Sequence, residues 1–173
     1  KVVNGTWDEG GNSPKTQVVT LLYQKADGTY VVKDSETVAA PTGMKANTGY
    51  GNGTWTNVTG GKVTVSANQN VTATHTFVIN KYNVTVNYLE EVTNAVLKTA
   101  VVTSDVAYNT AYDVSSAANV TSLTKGGNTY TKVSVDSALT GIVTDNVVVN
   151  VYYSLDNWTD NIPDKYQVKV NYV

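Results

Sequence analysis

Tyr82-Asn83-Val84-Thr85-Val86-Asn87-Tyr88 returns almost unchanged as Tyr166-Gln167-Val168-Lys169-Val170-Asn171-Tyr172. The offset is 166 − 82 = 84 residues. A recurrence at that distance is the signature of an array of small folded units and argues against one large domain. The chain of 173 residues then holds two units of roughly 80 residues each. The second copy runs to the C-terminus, so it is expected to open a further unit of a longer tandem protein. Units this small bury only about 60% of the surface their unfolded chains expose, so contact with a neighbour helps them.

The residues between the two copies describe sheets. Valine, threonine and tyrosine dominate, and phenylalanine occurs once, at Phe77. Branching at Cβ restricts χ1 and suits a pleated, half-buried surface better than a helix. The fold class expected is therefore mostly β, with at most short helices. The net charge is −2 and arginine is absent, so no basic stripe is available to neutralise phosphates. Nucleic-acid binding is set aside on that ground. Cysteine is absent too, which leans away from small eukaryotic secreted modules stapled by disulfides. No apolar run is long enough to cross a membrane as a helix.

A second, shorter recurrence lies in residues 1–80. Asn4-Gly5-Thr6-Trp7 reappears as Asn52-Gly53-Thr54-Trp55. Asn-Gly suits the centre of a type I′ turn, so each copy reads as a turn opening a strand that carries a tryptophan. Strands are expected at residues 17–23 and 29–33, around an Asp27-Gly28 turn, and at 62–66. Residues 71–79 alternate, with Val71, Ala73, His75, Phe77 and Ile79 on one face. In residues 81–155, strands are expected at 82–89, 98–103, 129–135 and 147–153. Tyr82, Val84, Val86 and Tyr88 share one face of the first. Apolar residues on both faces of 147–153 predict a central strand covered on both sides. Residues 111–123 are the best helix segment, limited to one or two turns by Val114 and Val120. Residues 156–164 form a polar linker, and 165–173 read as the opening strand of the next unit.

Residues 81–155 resemble the mucin-binding (MucBP) repeats of Gram-positive surface proteins. The resemblance rests on Val84-Thr85-Val86-Asn87-Tyr88 as the opening strand and on Ala107-Tyr108-Asn109-Thr110-Ala111-Tyr112-Asp113-Val114 before the short helix. Val149-Asn150-Val151-Tyr152-Tyr153 forms the closing strand. Residues 1–80 are similar to the partner repeats of large gut-bacterial adhesins, through Val3-Asn4-Gly5-Thr6-Trp7-Asp8, Pro41-Thr42-Gly43-Met44 and Gly49-Tyr50-Gly51-Asn52-Gly53-Thr54-Trp55. The resemblance implies two tandem β-grasp-like modules on a secreted, cell-wall-anchored, extracellular protein of the bacterial cell surface. It also implies host mucus glycoproteins (mucin glycans) or immunoglobulins as partners, besides neighbouring repeats of the same chain. In such repeats a strand like 166–172 comes first. Residues 1–80 therefore lack their opening strand, and the C-terminal strand is of the right type to supply it, within the chain or between chains.

Candidate chemistry is sparse. His75 is the only histidine, so no triad or zinc cage forms in the usual way, and a half-buried structural histidine is expected. Asp8-Glu9 and Glu90-Glu91 are adjacent in sequence, and neighbours on a strand point to opposite faces, so neither pair converges like a hydrolase pair. Asp156, Asp160 and Asp164 recur at short intervals in an oxygen-rich stretch, as Ca²⁺ prefers. Asp160-Asn161-Ile162-Pro163-Asp164 resembles the Asp-Gly-Ile-Pro-Asp of calcium-binding linkers, while the Asp-x-Asp spacing of a complete loop is missing and a plain hinge is the simpler reading. Tyr50, Trp55, Tyr108, Tyr112 and Tyr130 are the ligand-binding candidates, with Tyr152, Tyr153 and Trp158 as further aromatics. Aromatic faces stack on sugars and anchor interfaces, although most serve as cross-strand pairs. Trp158 is expected to pack between modules.

The function expected is a non-enzymatic adhesin repeat. One rival is a stalk repeat that only projects a distal domain. Another is an accessory module of a secreted glycan-degrading enzyme.

Overall fold

A computed structural model describes residues 1–172. The chain is largely β, with one helical turn and one 3₁₀ turn among the described residues. It divides into two compact units, Lys1–Asn80 and Lys81–Val173.

The first module contains β1 (Val2–Val3), β2 (Gly5–Trp7), β3 (Leu22–Gln24), β4 (Tyr30–Val32), β5 (Ser35–Ala39), β6 (Met44–Ala46), β7 (Tyr50–Thr56), β8 (Lys62–Ser66) and β9 (Thr74–Ile79). β9 is the organising strand: β1 lies parallel to it on one side and β7 antiparallel on the other. The pairs β2–β6, β3–β4 and β5–β8 are separate antiparallel ribbons. Val2, Trp7 and Val63 are buried, and so is His75. The Trp7 indole donates to Ser13 O at 2.9 Å, and Lys15 Nζ sits 4.4 Å over its ring. One buried side chain thereby tethers the irregular stretch that follows β2.

The two Asn-Gly-Thr-Trp copies do not form the expected type I′ turns. Asn4 and Asn52 adopt the left-handed region, with φ of 58° and 37°, but Gly5 and Gly53 do not. A type I′ turn needs positive φ at both centres. Asn4 instead separates β1 from β2, and Asn52 lies inside β7, at a register shift between Gly51 and Thr54. That is the geometry of a bulge, where asparagine tolerates the left-handed conformation. Both glycines are there for room: a Cβ on Gly5 would meet the Phe77 ring at 2.4 Å, and one on Gly53 the His75 ring at 2.0 Å. The two copies flank β9 from opposite sides.

The second module contains β10 (Lys81–Glu90), β11 (Val96–Ala107), β12 (Ala111–Asp113), α1 (Ser115–Ala118), β13 (Ser122–Lys125), β14 (Asn128–Val135), β15 (Thr140–Ile142) and β16 (Val147–Leu155). Five strands form one mixed sheet in the order β11-β10-β16-β14-β13. The first and last strands, β10 and β16, are parallel neighbours at its centre, with Val84 opposite Val147 and Tyr88 opposite Val151. A hairpin on each side completes the sheet, and α1 lies in the connection between them. This is a β-grasp-like arrangement with the helix reduced to a single turn.

The helix is a single turn, within the one or two turns expected of residues 111–123. Residues 111–113 are a strand paired with β15, and residues 122–123 start β13. The β-branched Val114 and Val120 sit at the two ends of the turn, and their side chains pack against the core. Asp113 Oδ1 accepts from Ser115 N at 2.8 Å at the start, and Lys132 Nζ donates to Ala118 O at 2.8 Å at the end. Both contacts satisfy terminal groups that four residues cannot pair internally.

The core of this module is Val86, Tyr88, Leu97, Ala118, Val149, Val151 and Tyr153. It occupies one face of the sheet. The opposite face of β16 is not covered as expected: Val148 is half exposed, and Asn150 and Tyr152 are partly exposed. A polar ladder runs there instead. Asn87 Nδ2 donates to Asn150 Oδ1 at 2.8 Å, and Asn150 Nδ2 donates to Asp136 Oδ2 at 2.7 Å. A central strand thus needs one buried face only, with its other face hydrated through side-chain pairs.

Candidate functional site

The five ligand-binding candidates fall in both modules, and each is half-buried. In the first module, Tyr50 and Trp55 lie on β7, opposite Ile79 and His75. Trp55 meets the His75 ring edge-on, with centroids 4.9 Å apart, and His75 meets Phe77 at 4.6 Å in the same manner. Trp55, His75 and Phe77 therefore form a packed aromatic row along β9. Burial pushes the His75 pKa below its ordinary value, and Nδ1 has no hydrogen-bond partner among the described residues. The ring is a structural histidine.

In the second module, Tyr108 follows the end of β11, Tyr112 lies on β12 and Tyr130 on β14. Tyr112 lies over Gly141, where a Cβ would meet its ring at 2.9 Å, and its hydroxyl donates to Ala138 O at 3.3 Å. Tyr130 packs against the core cluster. Tyr153 and Tyr88 are buried. Their hydroxyls donate to Val120 O and Ala117 O, each at 2.9 Å. Burial, with a smaller contribution from Tyr88, pushes the Tyr153 pKa up to about 12. Tyr153 is thereby removed from any ligand-facing platform.

The freely presented aromatic surface of the first module lies where no ligand-binding candidate was placed. The β3–β4 hairpin pairs Leu22 with Val32 and Gln24 with Tyr30. Residues directly opposite one another, and those two positions along, share a face. Leu22, Tyr30 and Val32 therefore occupy one side of the ribbon, and all three are exposed. Tyr23 lies on the other side, also exposed, with Lys33 Nζ 5.8 Å from its ring. The signal in the sequence was the alternation on both sides of Asp27-Gly28.

The linker carboxylates are engaged by backbone. Asp156 is 1% exposed. Its Oδ2 accepts from Asn161 N at 2.9 Å, and its Oδ1 from Asp160 N at 3.4 Å. Asp160 Oδ1 accepts from Ile162 N at 3.0 Å, and both oxygens of Asp164 accept from Asn157 N. The Gln167 side-chain amide and the Ile162 N–H hold the Asp160 carboxyl below the usual carboxylate range. Among the described residues, no three His, Cys, Asp or Glu side chains are grouped to hold a metal ion. Trp158 beside them is partly exposed.

Asp164–Tyr166 form a 3₁₀ turn, and residues 167–172 pair with no strand among the described residues. Val173, the end of the expected opening strand, lies outside the described residues. Three of the sequence-adjacent acids are also engaged: Glu9 pairs with Lys15, Glu90 accepts from Thr93, and Glu91 pairs with the sequence-distant Lys165. No helix among the described residues is long and apolar enough to cross a membrane.

The fold and these surfaces define a pair of small β modules. No protein-family model matches the chain, and no curated protein matches it. Among solved structures, the chain is similar to the Streptococcal High Identity Repeats in Tandem (SHIRT) domains 3-4 from a cell surface protein. The identity is 12%, the match covers 73% of this chain and 81% of that one, and the TM-score is 0.38.

Proposed function

We propose that this chain is a tandem-repeat segment of a bacterial cell-surface adhesin that works by binding and reach. The observation that carries the reading is the 84-residue recurrence (166 − 82). Its first copy is β10, an inner strand of the second module, and a second copy of that strand pattern beyond the module supports reading the chain as part of an array. The array is extracellular, attached to the cell wall through other parts of the protein. Its partners are mucus glycoproteins or immunoglobulins, as the resemblance of residues 84–88, 107–114 and 149–153 to mucin-binding repeats implies.

The exposed face of Leu22, Tyr30 and Val32 supports binding over mere spacing. Soluble proteins seldom present a contiguous apolar face without a partner for it. A tyrosine flanked by aliphatics offers a stacking surface for a sugar ring and an anchor for a protein. The test is capture of the chain on immobilised mucin and on immunoglobulin, with Tyr30→Ala as comparison. Capture on either surface that Tyr30→Ala weakens tenfold or more supports the reading. Failure on both leaves the modules as stalk repeats.

A further inference from the structure

β10 and β16 share the longest uninterrupted ladder among the described residues. Seven residues of each strand lie in register, from Val84 opposite Val147 to Glu90 opposite Tyr153, without a shift. The ladders of β10 with β11 and of β14 with β16 are both interrupted by register shifts. Further bonds extend the β10–β16 ladder at each end. Asn83 N donates to Asn146 Oδ1 at 2.8 Å, and Glu91 N donates to Tyr153 O at 2.9 Å. At its middle, Asn87 Nδ2 donates to Asn150 Oδ1.

The two strands are parallel, so the chain enters and leaves the module at opposite ends of this ladder. It enters at Lys81, before the Val84 rung, and leaves at Leu155, past the Tyr153 rung. Tension between those points drags β10 backwards and β16 forwards. Every rung then carries a share of the load, and none opens ahead of its neighbours. An antiparallel pair would bring entry and exit to one end, and its rungs would open singly. Sliding also draws Val86 and Tyr88 past Val149, Val151 and Tyr153, which share one buried core. A close-packed interior resists such movement. The Tyr88 and Tyr153 hydroxyls pin the two strands to Ala117 O and Val120 O.

We propose that the second module is a load-bearing clamp, in which the β10–β16 ladder sets the force at which the module opens when the chain is pulled. Tension reaches the module only through its neighbours, so this role rests on the chain being a segment of an array. A surface repeat built this way keeps its length under pull while a partner is held. Forced opening follows the unfolding rate along the pulled direction, so resistance to pull is separate from equilibrium stability.

Single-molecule pulling of the full chain in two directions tests this. The chain has no cysteine, so two introduced thiols are unique handles. Lys81→Cys with Asn157→Cys places the handles at opposite ends of the ladder. Lys81→Cys with Thr144→Cys places both at one end, and all three positions are exposed. Each pair loads the second module alone, and a release of about 3.5 Å per residue between the handles identifies its opening. At one loading rate, the first pair should open at a force at least about threefold above the second, although both variants keep the same midpoint in chemical denaturation. Thr159→Cys and Asp145→Cys repeat the two geometries from neighbouring exposed positions if a first choice unfolds the module. Forces in the two directions that differ by less than this overturn the clamp, whatever the chain binds. Capture on mucin or immunoglobulin is read separately, so its failure leaves the mechanical result standing.

Discussion

Gly53 and His75 face each other across β7 and β9 so closely that a methyl group on Gly53 would lie 2.0 Å from Cε1 of the imidazole. The glycine is required by contact, since its backbone is not in the left-handed region. Gly53→Ala should therefore destabilise the first module by about 1–3 kcal/mol through overpacking. Gly5→Ala should do the same against Phe77 and Lys45 O. Thermal unfolding followed by tryptophan fluorescence reads both, with Trp7 and Trp55 as reporters in that module.

The same ring gives the first module an acid limit. Burial lowers the His75 pKa in the folded state, and among the described residues Nδ1 has no hydrogen-bond partner. The unfolded chain binds that proton more readily. Its contribution is complete above about pH 6.5, the unfolded value. It is lost as pH falls below that value and through the lower folded one. His75→Phe keeps an aromatic ring between Trp55 and Phe77 and removes the titration. Chemical denaturation between pH 7 and pH 5 should show a falling midpoint for the native chain and a flatter one for the variant.

Strict alternation made β10 legible, because period-2 burial of Val84, Val86 and Tyr88 leaves one arrangement only. The Asn-Gly pairs misled because the dipeptide reports a left-handed asparagine, and such a residue serves a bulge as well as a turn. The short extent of α1 was legible from Val114 and Val120, but the strand before it was not, since tertiary pairing of residues 111–113 with β15 overrode their helical spacing. The Asp27-Gly28 hairpin was visible, but exposure of Leu22, Tyr30 and Val32 depends on the absence of a covering layer, which local pattern does not encode. The linker acids were visible as an oxygen-rich stretch. That their partners are backbone amides followed only from the loop's conformation.

Tyr153 ties β16 to the segment beyond α1 through its bond to Val120 O. Tyr153→Phe leaves that part-buried carbonyl without this partner, and should cost about 1 kcal/mol. The hydroxyl also sets an alkaline limit. Its folded pKa is about 12 against 10.0 ordinarily, so its contribution is complete below pH 10 and is lost as pH rises from 10 towards 12. Ultraviolet titration of tyrosinate should show a late-ionising tyrosine that Tyr153→Phe removes. Ionisation of every tyrosine near pH 10 in the folded chain would refute this.

Asp156 decides between a clasp and a calcium site. Its carboxylate is buried and accepts from the amides of Asp160 and Asn161, while its own N–H donates to Thr129 O at 2.9 Å. One residue thus joins the end of β16 both to β14 and to the following loop. Charge-assisted bonds of this kind are worth about 1.5–3 kcal/mol each. Asp156→Ala should lower stability by about that much and speed hydrogen exchange at Asp160 and Asn161. Asp156→Asn, which keeps an acceptor oxygen, should recover part of the loss. If the acids serve as a clasp, calorimetric titration with Ca²⁺ gives no heat of binding in the native chain. Saturable heat that Asp156→Asn abolishes would instead assign these oxygens to the ion, which would have to displace the amide bonds seen here.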